Sequence, residues 1–391
     1  MYIADTNNMR VLKASTSGEL LQVIGEGDLS MPLGLYVTQE GMLYVADEMK
    51  QQIFVYNQEG QLVNTYGKPN HPLFGKNSNF LPQKIVVDDR GTMYIVSKGN
   101  NNGIIQISPS EGGSFLGYFG ANNTRISWMT LFRKAIFSEE QEARMAKSEP
   151  VTIANIAIDD RGLVYTVSQG EQALTLKKMN IAGKNLVFPE VYDPYPSSVI
   201  TGDLDNIFVA SKNGYIYEYN SEGSLLFVFG ARDDGKQRVG LFKTVSSIAL
   251  DSKKQLYVLD EEKNEIQVFR TTEFADLVHT AVKMYQNGLY TESKEPWTEV
   301  LRMNSLFDYA NLGIGEAYYK EGDYDKALES YKLAKNKEGY SNAFWEVRNL
   351  WMKQNLVRIM LTIIGIFILW KILKLWDRKK KIFAPLRKLR K

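Results

Sequence analysis

Tyr44-Val45-Ala46-Asp47 is the stretch on which the fold turns, because the chain repeats it with small variations. The other copies are Tyr2-Ile3-Ala4-Asp5, Tyr94-Ile95-Val96-Ser97, Tyr165-Thr166-Val167-Ser168, Phe208-Val209-Ala210-Ser211 and Tyr257-Val258-Leu259-Asp260. Successive copies begin 42, 50, 71, 43 and 49 residues apart. Each is a run of aromatic, β-branched and small residues closed by Asp or Ser, which reads as a short strand. Upstream lies an apolar run and a polar turn, as in Ile85-Val86-Val87 before Asp88-Asp89-Arg90-Gly91 and Ile156-Ala157-Ile158 before Asp159-Asp160-Arg161-Gly162. Downstream come a third strand, such as Gln52-Ile53-Phe54-Val55-Tyr56, and a fourth ending at Gly, such as Thr65-Tyr66-Gly67. Four short strands per repeat predict a mainly β, six-bladed propeller over residues 1–270.

Two strands are missing from that count. The chain opens at the second strand of a blade, and its last unit ends with a third strand at Ile266-Gln267-Val268-Phe269. The first and last blades are therefore expected to be incomplete. Open sheet edges invite aggregation, so Met1 reads as an internal start, with an inner strand and a signal peptide expected upstream.

Composition narrows the chemistry. Among 391 residues there is no cysteine, which excludes disulfides, thiolate metal sites and thiol catalysis. Two histidines, His71 in a turn and His279 on a helix, exclude a multi-histidine metal site. The pairs Asp88-Asp89 and Asp159-Asp160 occupy one turn position in two units, so the first Asp is expected to accept backbone N–H bonds while Gly takes positive φ; calcium binding or acid–base work is the alternative. Asp5, Asp47 and Asp260 stand where they would line one mouth of the channel, but Ser replaces Asp in three units, which argues against a metal ring. No catalytic residue, metal or cofactor is assigned. The net charge of +2 hides a split: Lys371 to Lys391 carries +9, leaving −7 on the first 370 residues. An acidic body argues against nucleic acid as a partner.

After Arg270 the period becomes helical. Gly288-Leu289-Tyr290 recurs as Gly322-Asp323-Tyr324, a step of 34 residues that also links Trp297 with Tyr331. Ala317 to Leu328 resembles the tetratricopeptide repeat. Residues 271–355 are thus expected to form a pair of such repeats, with Pro296 at the N-terminus of the second helix and a capping helix from about Tyr340.

Residues 356–376 read as one transmembrane helix, apolar and free of charge for twelve residues from Ile359 to Trp370, with Thr362 its one hydroxyl. Arg358, Lys371 and Lys374 lie near its ends, where long cationic chains reach headgroups, and Trp351, Trp370 and Trp376 suit the interfaces. A buried amphipathic helix and a surface-lying helix are the alternatives. The tail, 377–391, holds Arg378, Lys379, Lys380 and Lys381. The positive-inside rule puts it in the cytoplasm and the N-terminal body outside a plasma membrane. A tail-anchored cytosolic protein is the rival, and it would break that rule.

One insertion, residues 122–150, interrupts the propeller. Its Trp128, Phe132, Ile136 and Phe137 sit among cations, the composition of a partner-docking element. The alternative is a helical hairpin packed on the propeller.

The units resemble NHL repeats, most closely in Tyr2-Ile3-Ala4-Asp5-Thr6-Asn7-Asn8-Met9-Arg10-Val11, less so from Asp47 to Ile53, and least in the fourth unit. The whole arrangement resembles Gram-positive membrane-anchored NHL-repeat proteins. That resemblance implies an extracytoplasmic propeller binding a protein or glycan, accessory to a sugar-uptake system. The alternative is a lactonase or lyase acting on a sugar or cell-wall fragment, although the metal-binding carboxylates of gluconolactonase-like propellers do not map onto this chain.

Overall fold

The computed structural model describes residues 1–75, 78–100, 102–120, 152–170, 175–188, 193–235 and 238–388, with side chains of the last helix described as far as Trp376. The chain divides into two compact units, Met1–Arg270 and Thr271–Lys391.

The first unit holds six antiparallel sheets, strand following strand in chain order. Sheet one is β1 (Tyr2–Asp5), β2 (Arg10–Ala14) and β3 (Leu20–Ile24). Sheet two is β4 (Pro32–Val37), β5 (Leu43–Asp47), β6 (Gln52–Tyr56) and β7 (Leu62–Tyr66). Sheet three is β8 (Pro82–Val87), β9 (Met93–Ser97), β10 (Ile104–Ser108) and β11 (Ser114–Phe119). Sheet four is β12 (Thr152–Ile158), β13 (Val164–Gln169) and β14 (Leu176–Met179). Sheet five is β15 (Pro196–Thr201), β16 (Ile207–Ser211), β17 (Ile216–Tyr219) and β18 (Leu225–Phe229). A short parallel pair, β19 (Ala231–Arg232) with β20 (Leu241–Phe242), precedes sheet six, which is β21 (Val245–Leu250), β22 (Leu256–Asp260) and β23 (Glu265–Phe269).

The repeated phrase falls on β1, β5, β9, β13, β16 and β22. In β9 and β16 every residue is buried, so both faces of the strand are covered and neither alternates with solvent. The covering comes from the neighbouring sheets. One apolar cluster joins sheets one and two through Val11, Leu43 and Phe54, and another joins two and three through Ile53, Ile95 and Ile105. Val86 with Val164 joins three to four, Val167 with Val209 joins four to five, and Phe208 with Val258 joins five to six.

Among the described residues sheets one, four and six have three strands, whereas the sequence placed such gaps only in the first and the last. In sheet four the segment after β14 pairs with it by one bridge, Met179 with Asn185. There the Asn185 side-chain oxygen, in place of a backbone carbonyl, accepts the Lys178 N–H at 3.0 Å, which ends the ladder.

The second unit begins with α1 (Glu273–Gln286), α2 (Tyr290–Met303), α3 (Asp308–Glu321) and α4 (Tyr324–Leu333). Gly288 and Gly322, 34 residues apart, take φ of +80° and +82° just after α1 and α3, a conformation only glycine adopts freely. Pro296 is not at the start of its helix. It is the seventh residue of α2 and is buried, because α2 begins at Tyr290, directly after the turn. Trp297 and Tyr331, also 34 apart, are both buried between helices, facing Gly313 in the first case and Gly315 and Gly339 in the second.

The final helix, α5 (Lys337–Lys388), is a single element of 52 residues. It starts three residues before the expected cap and continues without interruption through the apolar run. Its first turns bury Ala343 against Ala327 and Tyr331 of α4. Within Lys337–Trp376 the most apolar stretch has a mean hydropathy of 2.3 and none of it is buried, so α5 is long and apolar enough to cross a membrane.

Candidate binding site at the inner strands

Five sheets share one irregularity in their inner strands. In β4, β8, β12, β15 and β21 the register slips by one residue, leaving Leu33, Gln83, Ala154, Ser197 and Ser246 unpaired. Such bulges re-aim the residues that follow them. Gly34, Lys84, Asn155, Ser198 and Ser247 come next, and each pairs with the third residue of its repeated phrase: Ala46, Val96, Val167, Ala210 and Leu259. The five positions are therefore equivalent in register.

Contacts between neighbouring sheets bring Gly34 level with Lys84, and Asn155 level with Ser198. A Cβ added to Gly34 would stand 2.5 Å from the Gln83 carbonyl oxygen and 2.8 Å from the Lys84 Cα. Asn155 Nδ2 donates to the Ser197 carbonyl oxygen at 3.3 Å and to Ser198 Oγ at 3.4 Å. The Ile248 N–H donates to Ser198 Oγ at 3.3 Å. Sheets two to three and four to five to six are thus stitched together at their inner strands by close backbone approach and by polar side chains.

Lys84 is the one charged member of this set. The lysine is half-buried, and its ammonium makes no hydrogen bond or ion pair among the described residues. Burial pushes its pKa below the usual lysine range, and the more distant Glu261 offsets part of that. The hydroxyl of Ser247, half-buried at the equivalent position of β21, also makes no hydrogen bond among the described residues.

The two ends of the inner strands differ. At the phrase-closing end the Asp47 carboxylate accepts backbone N–H bonds from Ser30 at 2.7 Å, Met31 at 2.9 Å and Lys50 at 2.9 Å. Asp260 does the same for Lys243, Thr244, Glu262 and Lys263, at 2.7 to 3.3 Å. Both aspartates are wholly buried, which corrects the expectation that they line a mouth. They close the junction between the chain entering the inner strand and the turn after the phrase. In sheet three Ser97 Oγ performs part of this task, accepting the Leu81 N–H at 2.8 Å. Asp5, in a sheet without an equivalent of β4, instead pairs with Arg10 at 3.0 Å. Exposed Lys50, Lys212 and Lys243 lie beside these closing residues.

The opposite end is acidic. Asp88 accepts N–H bonds from Arg90 and Thr92, and Asp159 from Arg161 and Leu163, while Gly91 and Gly162 take φ of +81° and +75°. Burial would raise the Asp159 pKa, but the Arg161 guanidinium, the Leu163 N–H and the Tyr165 hydroxyl outweigh it and hold the carboxyl below the usual range. The Tyr36 hydroxyl is pushed up, first by burial and then by Asp89, Asp160, Asp88 and Glu40.

Other residues singled out in the sequence lie apart from this set. Trp128, Phe132, Ile136 and Phe137 fall outside the described residues. His71 Nδ1 accepts the Leu73 N–H at 3.2 Å and its ring packs 5.6 Å from that of Phe115. On α5, Trp351, Trp370 and Trp376 are exposed, as are Arg358, Lys371 and Lys374. Lys371 Nζ lies 5.4 Å from the Phe367 ring centroid and Lys374 Nζ 4.8 Å from that of Trp370, so both cations fold back along the apolar run. Arg378, Lys379, Lys380 and Lys381 continue the same helix. No group of three or more His, Asp or Glu side chains able to hold a metal occurs among the described residues. Lys84 was missed in the sequence; its signal was a cation between Pro82 and the apolar run Ile85-Val86-Val87.

No protein-family profile matches the chain, and no curated protein matches it. Solved structures resemble part of the chain. Virginiamycin B lyase from Staphylococcus aureus is 12% identical, with a TM-score of 0.43 over 69% of this chain and 80% of its own. The extracellular domain of BT4673 from B. thetaiotaomicron is 13% identical, with a TM-score of 0.43 over 70% of this chain and 32% of its own. A protein of unknown function from Bacteroides caccae is 12% identical, with a TM-score of 0.40 over 61% of this chain and 79% of its own. These neighbours are β-propeller-like proteins, and the likeness is one of fold alone.

Proposed function

We propose that the chain is a membrane-anchored binding protein whose first unit is a six-bladed, NHL-type propeller that takes a protein or glycan ligand. The bare apolar run of α5 carries this reading: a helix that buries none of a stretch with mean hydropathy 2.3 calls for a bilayer around it. The 34-residue helical step and the glycine turns support a tetratricopeptide-like pair between propeller and anchor. Ten cations from Lys371 onward favour a cytoplasmic tail and an extracellular N-terminal body at the plasma membrane. The acidic body speaks against nucleic acid, and accessory work beside a sugar-uptake system suits the arrangement. The chain has no cysteine, so one placed at the C-terminus is a clean topology probe. In intact cells it is expected to resist a membrane-impermeant thiol reagent and to react once the membrane is opened. Labelling in intact cells would overturn the orientation, and recovery of the chain in the soluble fraction would overturn the anchor.

A further inference from the structure

We propose that Lys371 and Lys374 form a binding site for the phosphate of an anionic phospholipid at the C-terminal edge of the apolar run of α5. The proposal rests on the reading of α5 as a bilayer-spanning helix and names the lipid chemistry that its end selects.

Helical side chains have a direction. Every Cα–Cβ bond leans toward the helix N-terminus, so a cation at the N-terminal edge of a span points out of it and one at the C-terminal edge points back into it. Arg358 does the first: its Nη1 donates to Asn355 Oδ1 at 3.5 Å, away from the apolar run. Lys371 and Lys374 do the second, with Nζ 5.4 Å from the Phe367 ring centroid and 4.8 Å from that of Trp370. The two rings are themselves 6.0 Å apart, centroid to centroid. Residues three apart share a helix face. The four side chains therefore make one exposed patch, two ammonium groups over two rings.

Length makes that patch consequential. From Arg358 to Lys371 the helix rises about 20 Å, against a hydrocarbon core about 30 Å thick. With Arg358 at one boundary, the lysine charges fall inside the other by about 10 Å. No acidic residue lies between Glu346 and Asp377, and neither lysine has an ion pair among the described residues. An ammonium in hydrocarbon without a counterion is costly, and contact with a ring offsets only part of that. The anion available at the boundary is a lipid phosphate, drawn in to the patch. A lipid of net negative charge is favoured over a zwitterionic one, whose own cation competes with the lysines. Arg378, Lys379, Lys380 and Lys381 add a diffuse attraction of the same sign. That field also favours lipid over a carboxylate on a partner helix, because it concentrates anionic headgroups whatever protein lies nearby.

The test places the purified full chain in phosphatidylcholine vesicles with spin-labelled phosphatidylglycerol or spin-labelled phosphatidylcholine as the probe. The share of motionally restricted probe gives the relative affinity. Phosphatidylglycerol is expected to be preferred about five-fold or more, a factor of about five being the worth of one cation at a membrane surface. Lys371→Met combined with Lys374→Met is expected to remove most of that preference although the tail cations remain, and Lys371→Arg with Lys374→Arg to keep it. Replacing Arg378, Lys379, Lys380 and Lys381 by Gln is expected to cost less than the double Met change. Circular dichroism of each variant checks that its helices are formed. Equal association of the two probes would sink the site, and it is also the result if a partner's carboxylate is the true occupant. A folded double Met variant with the parent's preference, or a preference lost with the tail cations alone, would sink it too. The anchor reading fails separately: it falls if the chain does not float with the phosphatidylcholine vesicles.

Discussion

Replacing Asp47 by Ala removes one carboxylate and strands three backbone donors, those of Ser30, Met31 and Lys50. A hydrogen bond to a charged group contributes roughly 1.5–3 kcal/mol, so the gross loss is about 5–9 kcal/mol. Part of it is recovered. Lys50 is exposed and its N–H finds water, and the variant no longer buries a charge. The expected net cost is about 3–5 kcal/mol. Asp47→Ser is expected to cost about half as much, because Ser97 shows that a hydroxyl in this position still captures the equivalent N–H. Two units make a single unfolding free energy ill defined, so the assay is hydrogen exchange resolved to the Ser30 and Met31 amides, backed by calorimetry. Tryptophan fluorescence is unsuitable: five of the six tryptophans lie after Arg270 and report on the helices. Protection at those amides left unchanged in Asp47→Ala, or a Ser variant as damaged as the Ala variant, would refute the account of why the phrase closes on Asp or Ser.

Lys84→Met is expected to raise the melting temperature of the first unit. A lysine whose folded pKa is lowered destabilises the fold at neutral pH, and the penalty fades as pH rises from that folded pKa to the unfolded value near 10.4; a variant no more stable than the parent would count against an unpaired ammonium. Gly34→Ala places a Cβ 2.5 Å from a backbone oxygen, so its cost belongs at the upper end of the roughly 1–3 kcal/mol of overpacked cores, read by calorimetry. Asp159 has a lowered folded pKa, so the stability it adds is present above about pH 3.9 and is lost as pH falls through the folded value. Asp159→Asn should therefore flatten the acid limb of the stability profile, and an unchanged limb would refute this. Trp128→Ala and Phe132→Ala, in the proposed docking segment, are expected to abolish co-purification of a membrane partner with little change in melting temperature; a large drop in melting would show that both residues belong to a core.

The strands were legible because their side chains repeat: an aromatic, a β-branched residue, a small one and a closing oxygen recur where each sheet needs its second strand. The closing oxygen was visible but its task was not, since the donors it collects sit sixteen or seventeen residues earlier. The inner-strand level was hidden more deeply. Leu33, Gln83, Ala154, Ser197 and Ser246 have no side-chain chemistry in common, so a bulge shared by five strands leaves no mark in the letters. Nothing in the letters singled out Lys84, which the close approach of the backbones puts beside Gly34. Sheet four misled for a related reason: an asparagine side chain can impersonate a backbone carbonyl. Pro296 misled because proline is favoured in a first turn, yet burial held it in a second.

A helix without a hinge is a lever. α5 runs from its seam at Ala343 through the apolar stretch with no proline before Pro385, so nothing between the two absorbs a twist. Each residue of a helix turns its neighbour by about 100°. Adding or deleting one residue between Ala343 and Leu356 would therefore swing the face offered by α1–α4 by about 100° relative to Trp370 and Trp376. With α5 in a bilayer as proposed, which way α1–α4 look is a matter of counting residues.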